Sequence, residues 1–122
     1  MTHTYKVMVI AGEASGDILA AGAMAELKAL LDAPVEFIGV GGEQMAKEGL
    51  ISAFPMKELS IMGIAEVLPH IPLILKRIKQ MVELAKLEKP DLLLTIDSPD
   101  FCHRVAKKVK KETGIPCVHY VS

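Results

Sequence analysis

Four short apolar runs, the first three each closed by a small or acidic turn and followed by a segment of different period, constrain this chain most. They are residues 5–11 (YKVMVIA), 35–40 (VEFIGV), 92–96 (LLLTI) and 117–121 (CVHYV). The first and third contain almost no polar alternation, the pattern of strands buried on both faces of a parallel sheet. Between them the period lengthens. Ile18, Leu19, Gly22, Ala25 and Ala29 mark the apolar face of a helix after a turn at Gly12–Asp17, running to about Leu31, and a short helix is expected over 43–48. Ile71, Ile74, Leu75, Ile78, Val82 and Ala85 form a helical stripe opposite Lys76, Arg77, Lys79, Glu83 and Lys86, ended by Pro90. Pro99 opens a further helix to about Lys111, proline being tolerated in a first turn. Residues 51–69, punctuated by Pro55, Gly63 and Pro69, read as less regular. Strands alternating with helices predict an α/β domain, a Rossmann-like parallel sheet with helices on both faces.

The chain has 122 residues, the size of one domain of ~100–150 residues. It ends directly after the last strand, so the expectation is a domain cut short of its covering helix. The net charge of −1 hides an asymmetry. Residues 1–70 carry four Lys against nine Asp/Glu, whereas residues 71–122 carry ten Lys/Arg against six Asp/Glu. A cationic half suits phosphates or an anionic membrane surface. Three Phe, two Tyr and no Trp leave few rings on which bases could stack, which disfavours nucleic acid. Cys102 and Cys117 match no metal or redox spacing and read as free thiols, and the four histidines form no helical metal pair. No cofactor or metal is implied. The run 7–11 is too short for a signal segment, and 59–75 is broken by Glu66, Pro69, His70 and Pro72, so a cytoplasmic, non-spanning chain is expected.

Ligands of parallel sheets bind beyond the carboxyl ends of the strands, where loops lead into helix N-termini. That rule selects three loops. Gly12-Glu13-Ala14-Ser15-Gly16-Asp17 lacks both the dinucleotide glycine fingerprint and the Lys-Ser/Thr of a phosphate loop. Its two carboxylates suit the hydroxyls of a sugar better than a bare phosphate, although Ser15 could simply cap the helix and Asp17 complement its dipole. Gly41 and Gly42 offer backbone N–H groups near a helix start, which a tight turn would also explain. In Ile96-Asp97-Ser98-Pro99-Asp100-Phe101, Pro99 is expected to keep Ser98 extended, with Asp97 finishing the strand and Asp100 in the first helical turn. Two carboxylates at this edge suit general-base work on a hydroxyl.

The segment 59–79 holds more apolar residues than one helix stripe can bury, followed at once by Lys76, Arg77 and Lys79. Apolar surface with a cationic fringe fits an anionic bilayer or an acyl chain, while an ordinary core helix is the plainer alternative.

Five ordered motifs then carry a resemblance: AGEASGD (11–17), FIGVGGEQM (37–45), FPMKELSIMGIAEVLPHIP (54–72), PDLLLTIDSPDF (90–101) and VHYVS (118–122). On these the chain resembles the lipid-A-disaccharide synthases. The resemblance implies the incomplete N-terminal, acceptor-side domain of a GT-B fold, with the C-terminal donor-binding domain absent. It implies a metal-free, inverting transfer of 2,3-diacylglucosamine from UDP-2,3-diacylglucosamine to the 6-hydroxyl of 2,3-diacylglucosamine 1-phosphate, at the inner face of the inner membrane. Asp100 matches the proposed catalytic base. Glu13, Ser15, Asp17, Gly41, Gly42, Asp97 and Ser98 become substrate-binding candidates, and Ile61, Met62, Ile64, Val67, Leu68, Ile71, Lys76 and Arg77 candidates for acyl or membrane contact. Asp91 also matches a family position, but its place at a strand start favours a structural role. The family pattern continues past residue 122, so the chain alone is expected to be inactive. The alternatives are a non-catalytic flavodoxin-like binding module, disfavoured by a last strand ending Tyr120-Val121-Ser122, and a dehydrogenase domain, disfavoured by the missing glycine fingerprint.

Overall fold

The computed structural model describes residues 4–64 and 68–120, with the backbone alone at 62–64 and 68. Four parallel strands, β1 (Tyr5–Ala11), β2 (Val35–Val40), β3 (Leu92–Ile96) and β4 (Cys117–Tyr120), form one sheet in the order β2-β1-β3-β4. The central β1 follows from its composition, since Val7–Ala11 is buried on both faces. Register levels the carboxyl ends: Ile10 pairs with Val40, Ala11 with Ile96, and Ile96 with Tyr120. Gly12, Gly41 and Asp97 therefore leave the sheet along one edge.

One face is covered by helix α1 (Ala14–Leu30), whose Ala20 and Met24, and not the expected Ile18, Leu19, Gly22, Ala25 and Ala29, which are exposed, pack on Val7, Val9, Ala11, Phe37 and Ile96. Onto the other face pack α4 (Ile71–Glu88) through Ile78, Met81, Val82 and Ala85, and α5 (Pro99–Thr113) through Phe101, Cys102, Val105 and Val109. Two shorter helices, α2 (Glu43–Lys47) and α3 (Lys57–Ile64), lie in the β2–α4 connection, with a 3-10 turn at Leu68–His70. The expected α/β sheet covered on both faces is present.

Several local expectations are corrected. The turn after β1 is shorter than Gly12–Asp17: Glu13 is extended at φ −139° and Asp17 N–H already donates to its carbonyl at 2.9 Å, so Ser15, Gly16 and Asp17 are helical. The middle segment contains a true helix, α3, held because Ser60 Oγ donates to the Gly12 carbonyl and the buried Leu59 enters the core beneath α4. Helix α4 ends at a left-handed Lys89 (φ 49°), one residue before Pro90, and α5 runs on to Thr113, closed by Gly114 at φ 75°. Ser98 is left-handed (φ 41°) rather than extended, as is Asp97 (φ 55°). Side-chain anchoring of Asp97 outweighs the steric preference that Pro99 imposes on its predecessor. The last expected strand residue, Val121, lies outside the described residues, as does Ser122.

Candidate functional site

An open groove of about 670 Å³ sits at the carboxyl ends of β1 and β2, where the first turns of α1, α2 and α3 converge. Ala14, Asp17 and Ile18 form one wall, the loop Gly41–Gln44 the second, and Pro55, Met56 and Lys57 the third. Glycine is needed to bring these parts together. Gly39 is at φ +129° with its Cα against the Val9 carbonyl, and a Cβ on Gly42 would collide with the Asp17 carboxylate.

Asp17 organises this end of the molecule from inside it. It is 5% exposed, and its carboxylate accepts from Gly42 N–H (3.0 Å), Gln44 N–H (3.0 Å) and Met45 N–H (2.9 Å), capping α2 across the groove. Gly41 N–H donates to Ser52 Oγ at 3.1 Å. The N–H groups of the glycine loop are thus satisfied by the protein. Glu13 and Ser15, on the exposed entry to α1, have side chains facing solvent, and neither caps that helix.

The β3–α5 turn brings the second set of residues to the same edge. Gly12 N–H donates to Asp97 Oδ1 at 2.7 Å, while Asp97 Oδ2 is buried against Gly16 without a well-formed hydrogen bond. Burial raises the Asp97 pKa above its ordinary value; the Gly12 N–H and the Ser98 hydroxyl oppose the rise, and the charge of Glu13 adds to it. Gly12 and Gly16 are glycines for steric reasons, since a Cβ at the first would strike Ser98 Oγ and at the second Asp97 Oδ2. Asp100 stands exposed in the first turn of α5, where the helix dipole favours a negative charge. Asp97, Ser98, Gly12 and Gly16 form one cluster, and Asp17, Gly41 and Gly42 another, joined by the first turn of α1. Asp91 is at the opposite edge, accepting from Lys6 N–H at 2.9 Å.

Of the apolar segment, Ile61, Ile71 and Leu75 are exposed large side chains, and Lys76 is exposed beside them. Arg77 is not part of that fringe. Its guanidinium donates to both Glu58 oxygens (2.8 and 3.0 Å) and to Gln80 (2.9 Å) and lies 4.7 Å from the Phe54 ring centroid, tying α3 to α4. The side chains of Met62, Ile64 and Leu68, and Val67 altogether, lie outside the described residues. Burial pushes the Cys102 thiol up to about 12, which leaves it protonated and unsuited to nucleophilic work. Among the described residues no cluster of three or more His, Cys, Asp or Glu could hold a metal, and no helix is long and apolar enough to cross a membrane.

Sequence reasoning missed Ser52, Ser60 and Thr95. Ser52 and Ser60 brace the groove from the middle segment. Thr95 is buried, with Oγ1 2.7 Å from His119 Nδ1, and His119 in turn meets His103 edge-on at 4.9 Å. A lone polar residue in the apolar run 92–96 was the available signal for Thr95.

The family model for lipid-A-disaccharide synthetase matches residues 7–122. A lipid-A-disaccharide synthase of Rhodopseudomonas palustris (strain ATCC BAA-98 / CGA009) is 53% identical over 117 residues, covering 95% of this chain and 30% of that protein. The synthase of Nitrobacter hamburgensis is 48% identical over 118 residues (96% and 30%), and that of Alcanivorax borkumensis 50% over 116 (95% and 30%). The chain spans about three tenths of the length of these relatives.

Proposed function

The chain belongs to the lipid-A-disaccharide synthetase family, and from that premise we propose that residues 1–122 form the acceptor-side portion of an inverting glycosyltransferase, the N-terminal part of a GT-B arrangement. The donor is UDP-2,3-diacylglucosamine and the acceptor 2,3-diacylglucosamine 1-phosphate. The observation that carries the reading is the pair of carboxylates at the β3–α5 turn, on the same sheet edge as the groove beside α1.

Asp100, open to solvent, takes the proton of the acceptor's 6-hydroxyl as that oxygen attacks the anomeric carbon, and UDP departs. Asp97 holds the β1 loop against the turn and sets the position of Asp100. Glu13, Ser15 and Ser98 offer polar groups to the sugar, and Asp17, Gly41 and Gly42 shape the groove wall. Ile61, Ile71, Leu75 and Lys76 face acyl chains or the anionic inner surface of the cytoplasmic membrane, a role also proposed for Met62, Ile64, Val67 and Leu68. Arg77 supports that surface from behind.

Acceptor-dependent UDP release by a full-length family member carrying these residues tests the assignment. Asp100→Asn is expected to lower kcat by about 10²–10⁴-fold with KM little changed. Near-normal turnover removes Asp100 as the base. A second reading, with Asp97 as the base, is favoured by its raised pKa and by an Oδ2 that has no hydrogen-bond partner among the described residues. It requires that Asp97→Asn, and not Asp100→Asn, abolish the acidic limb of the pH–rate profile.

A further inference from the structure

Three consecutive residues of α3 reach toward the two loops that carry the carboxylate pair. Leu59 is buried against Gly12, where a Cβ would come within 3.0 Å of the Leu59 Cβ. Ser60 Oγ donates to the Gly12 carbonyl, 48 positions back in the chain. Glu58 accepts from Arg77 Nε and Nη2, the Arg77 guanidinium lies over Phe54, and the Phe54 ring meets Phe101 edge-on with centroids 6.3 Å apart. Phe101 follows Asp100 in the first turn of α5. One short helix thus braces both sides of the β3–α5 turn.

The more direct of the two routes runs through Gly12. Its N–H donates to Asp97 Oδ1 at 2.7 Å, so the peptide before its Cα is tied to the β3–α5 turn and the peptide after it to α3. Only glycine fits between them, because a Cβ there would strike Ser98 Oγ. Glycine also has the widest backbone freedom of any residue and holds no direction by itself. The aim of the Gly12 N–H, and with it the orientation of the Asp97 carboxylate, therefore depends on what fixes the carbonyl that follows. Among the described residues the side-chain donor to that carbonyl is Ser60.

We propose that Ser60 is a positioning residue for the glycosyl transfer, a role that rests on the Asp97–Asp100 pair as the source of the base. Its hydroxyl fixes the Gly12 peptides, these fix the Asp97 carboxylate, and the anchored turn presents the base to the acceptor's 6-hydroxyl. Ser60 acts only through Gly12 and makes no hydrogen bond to either carboxylate.

A full-length family member carrying Gly12, Ser60, Asp97 and Asp100 provides the test. Ser60→Ala should lower kcat about 10-fold or more with KM for both sugars within about twofold of the parent, because a misplaced base costs rate and not ground-state binding. Should Ser60→Ala not fold, Ser60→Cys, of similar size but a much weaker donor, takes its place with the same expected fall. Ser60→Thr keeps the hydroxyl and should return kcat to within about threefold of the parent. Thr113→Ala controls for lost stability alone: it removes a hydroxyl bonded to the Val109 carbonyl at the far end of α5 and should leave kcat unchanged. In an Asp97→Asn background Ser60→Ala should alter kcat by less than about twofold, since the route through Asp97 is already cut. Parental kcat in Ser60→Ala overturns the proposal, and so does a loss that Ser60→Thr fails to restore or that persists in full in the Asp97→Asn background. Asp100→Asn and Asp97→Asn measured alongside separate this failure from that of the underlying reading. If either is inactive while Ser60→Ala turns over normally, only the positioning role falls; if both turn over normally, the pair does not supply the base and the proposal falls with it.

Discussion

Asp17 shows how a residue's role depends on partners that lie far off in the chain. The spacing around Gly12–Asp17 places a carboxylate near a helix start, which suits a dipole or a sugar hydroxyl equally. Its partners are instead Gly42, Gln44 and Met45, 25 to 28 positions away, and nothing local in the sequence announces them. Asp17→Ala strands three N–H groups, one buried and two part-buried, and is expected to cost about 3 kcal/mol, read as a lower denaturant midpoint at unchanged slope. A loss within experimental error would show that water replaces the carboxylate. Asp97 is the carboxylate whose protonation burial governs. Its folded pKa is raised above 3.8 by burial, so the folded state holds the proton more tightly than the unfolded chain. The stability this contributes is full below pH 3.8 and is lost as pH rises through the folded value. Melting temperatures of the parent minus those of Asp97→Asn should therefore fall across that window as pH increases. A flat difference would mean that burial does not govern this carboxylate. The paired carboxylates near β3 were legible from sequence, but which was buried and which open was not, because that depends on Gly12 and Gly16 arriving from β1 and α1.

Where an element's period was strong, its existence was legible in the sequence, and where tertiary contacts decide, it was not. Helix α4 followed from an apolar stripe opposite cations, α5 from the proline that opens it, and β1 and β3 from their apolar runs. Helix α3 was hidden because Leu59, Ile61, Met62 and Ile64 do not fall on one stripe. Its stability comes from the Ser60 bond to the Gly12 carbonyl and from the Glu58–Arg77 pair, both long-range. Helix ends were similarly obscured. Pro90 explains why α4 cannot continue, but the chain turns at Lys89, in a left-handed conformation that an L side chain adopts at a cost of roughly 1–2 kcal/mol. The side chain of Lys89 is not in the core, so glycine removes the steric cost without emptying one. Set against the larger entropy of glycine in the unfolded chain, Lys89→Gly should stabilise by about 0.5 kcal/mol. Chemical denaturation detects this as a raised midpoint, and a lowered midpoint would mean that Lys89 makes favourable contacts through its stem.

At the scale of the molecule, charge separates two functions that a glycosyl transfer must combine. Such a transfer needs a carboxylate near the acceptor oxygen and positive groups or free N–H donors where a diphosphate departs. In the proposed reading Asp100 of the β3–α5 turn meets the first need, with Asp97 holding it in place. Around the groove, Asp17 and Glu43 stand against Lys57 alone, and the N–H groups of Gly41, Gly42, Gln44 and Met45 are already bonded within the protein. Cations are plentiful elsewhere: Arg104, Lys107, Lys108, Lys110 and Lys111 crowd the exposed side of α5, running down from the sheet's carboxyl edge toward the far end of the helix. They lie on the face opposite α1, so they do not point into the groove beside it. The groups that neutralise a departing UDP are therefore expected from the part of the family's length outside residues 1–122. Residues 1–122 supplied with both acylated sugars should release no UDP above the rate without acceptor. Acceptor-dependent release, scaling with the amount of chain and lost in Asp100→Asn, would show instead that this portion carries a complete catalytic set.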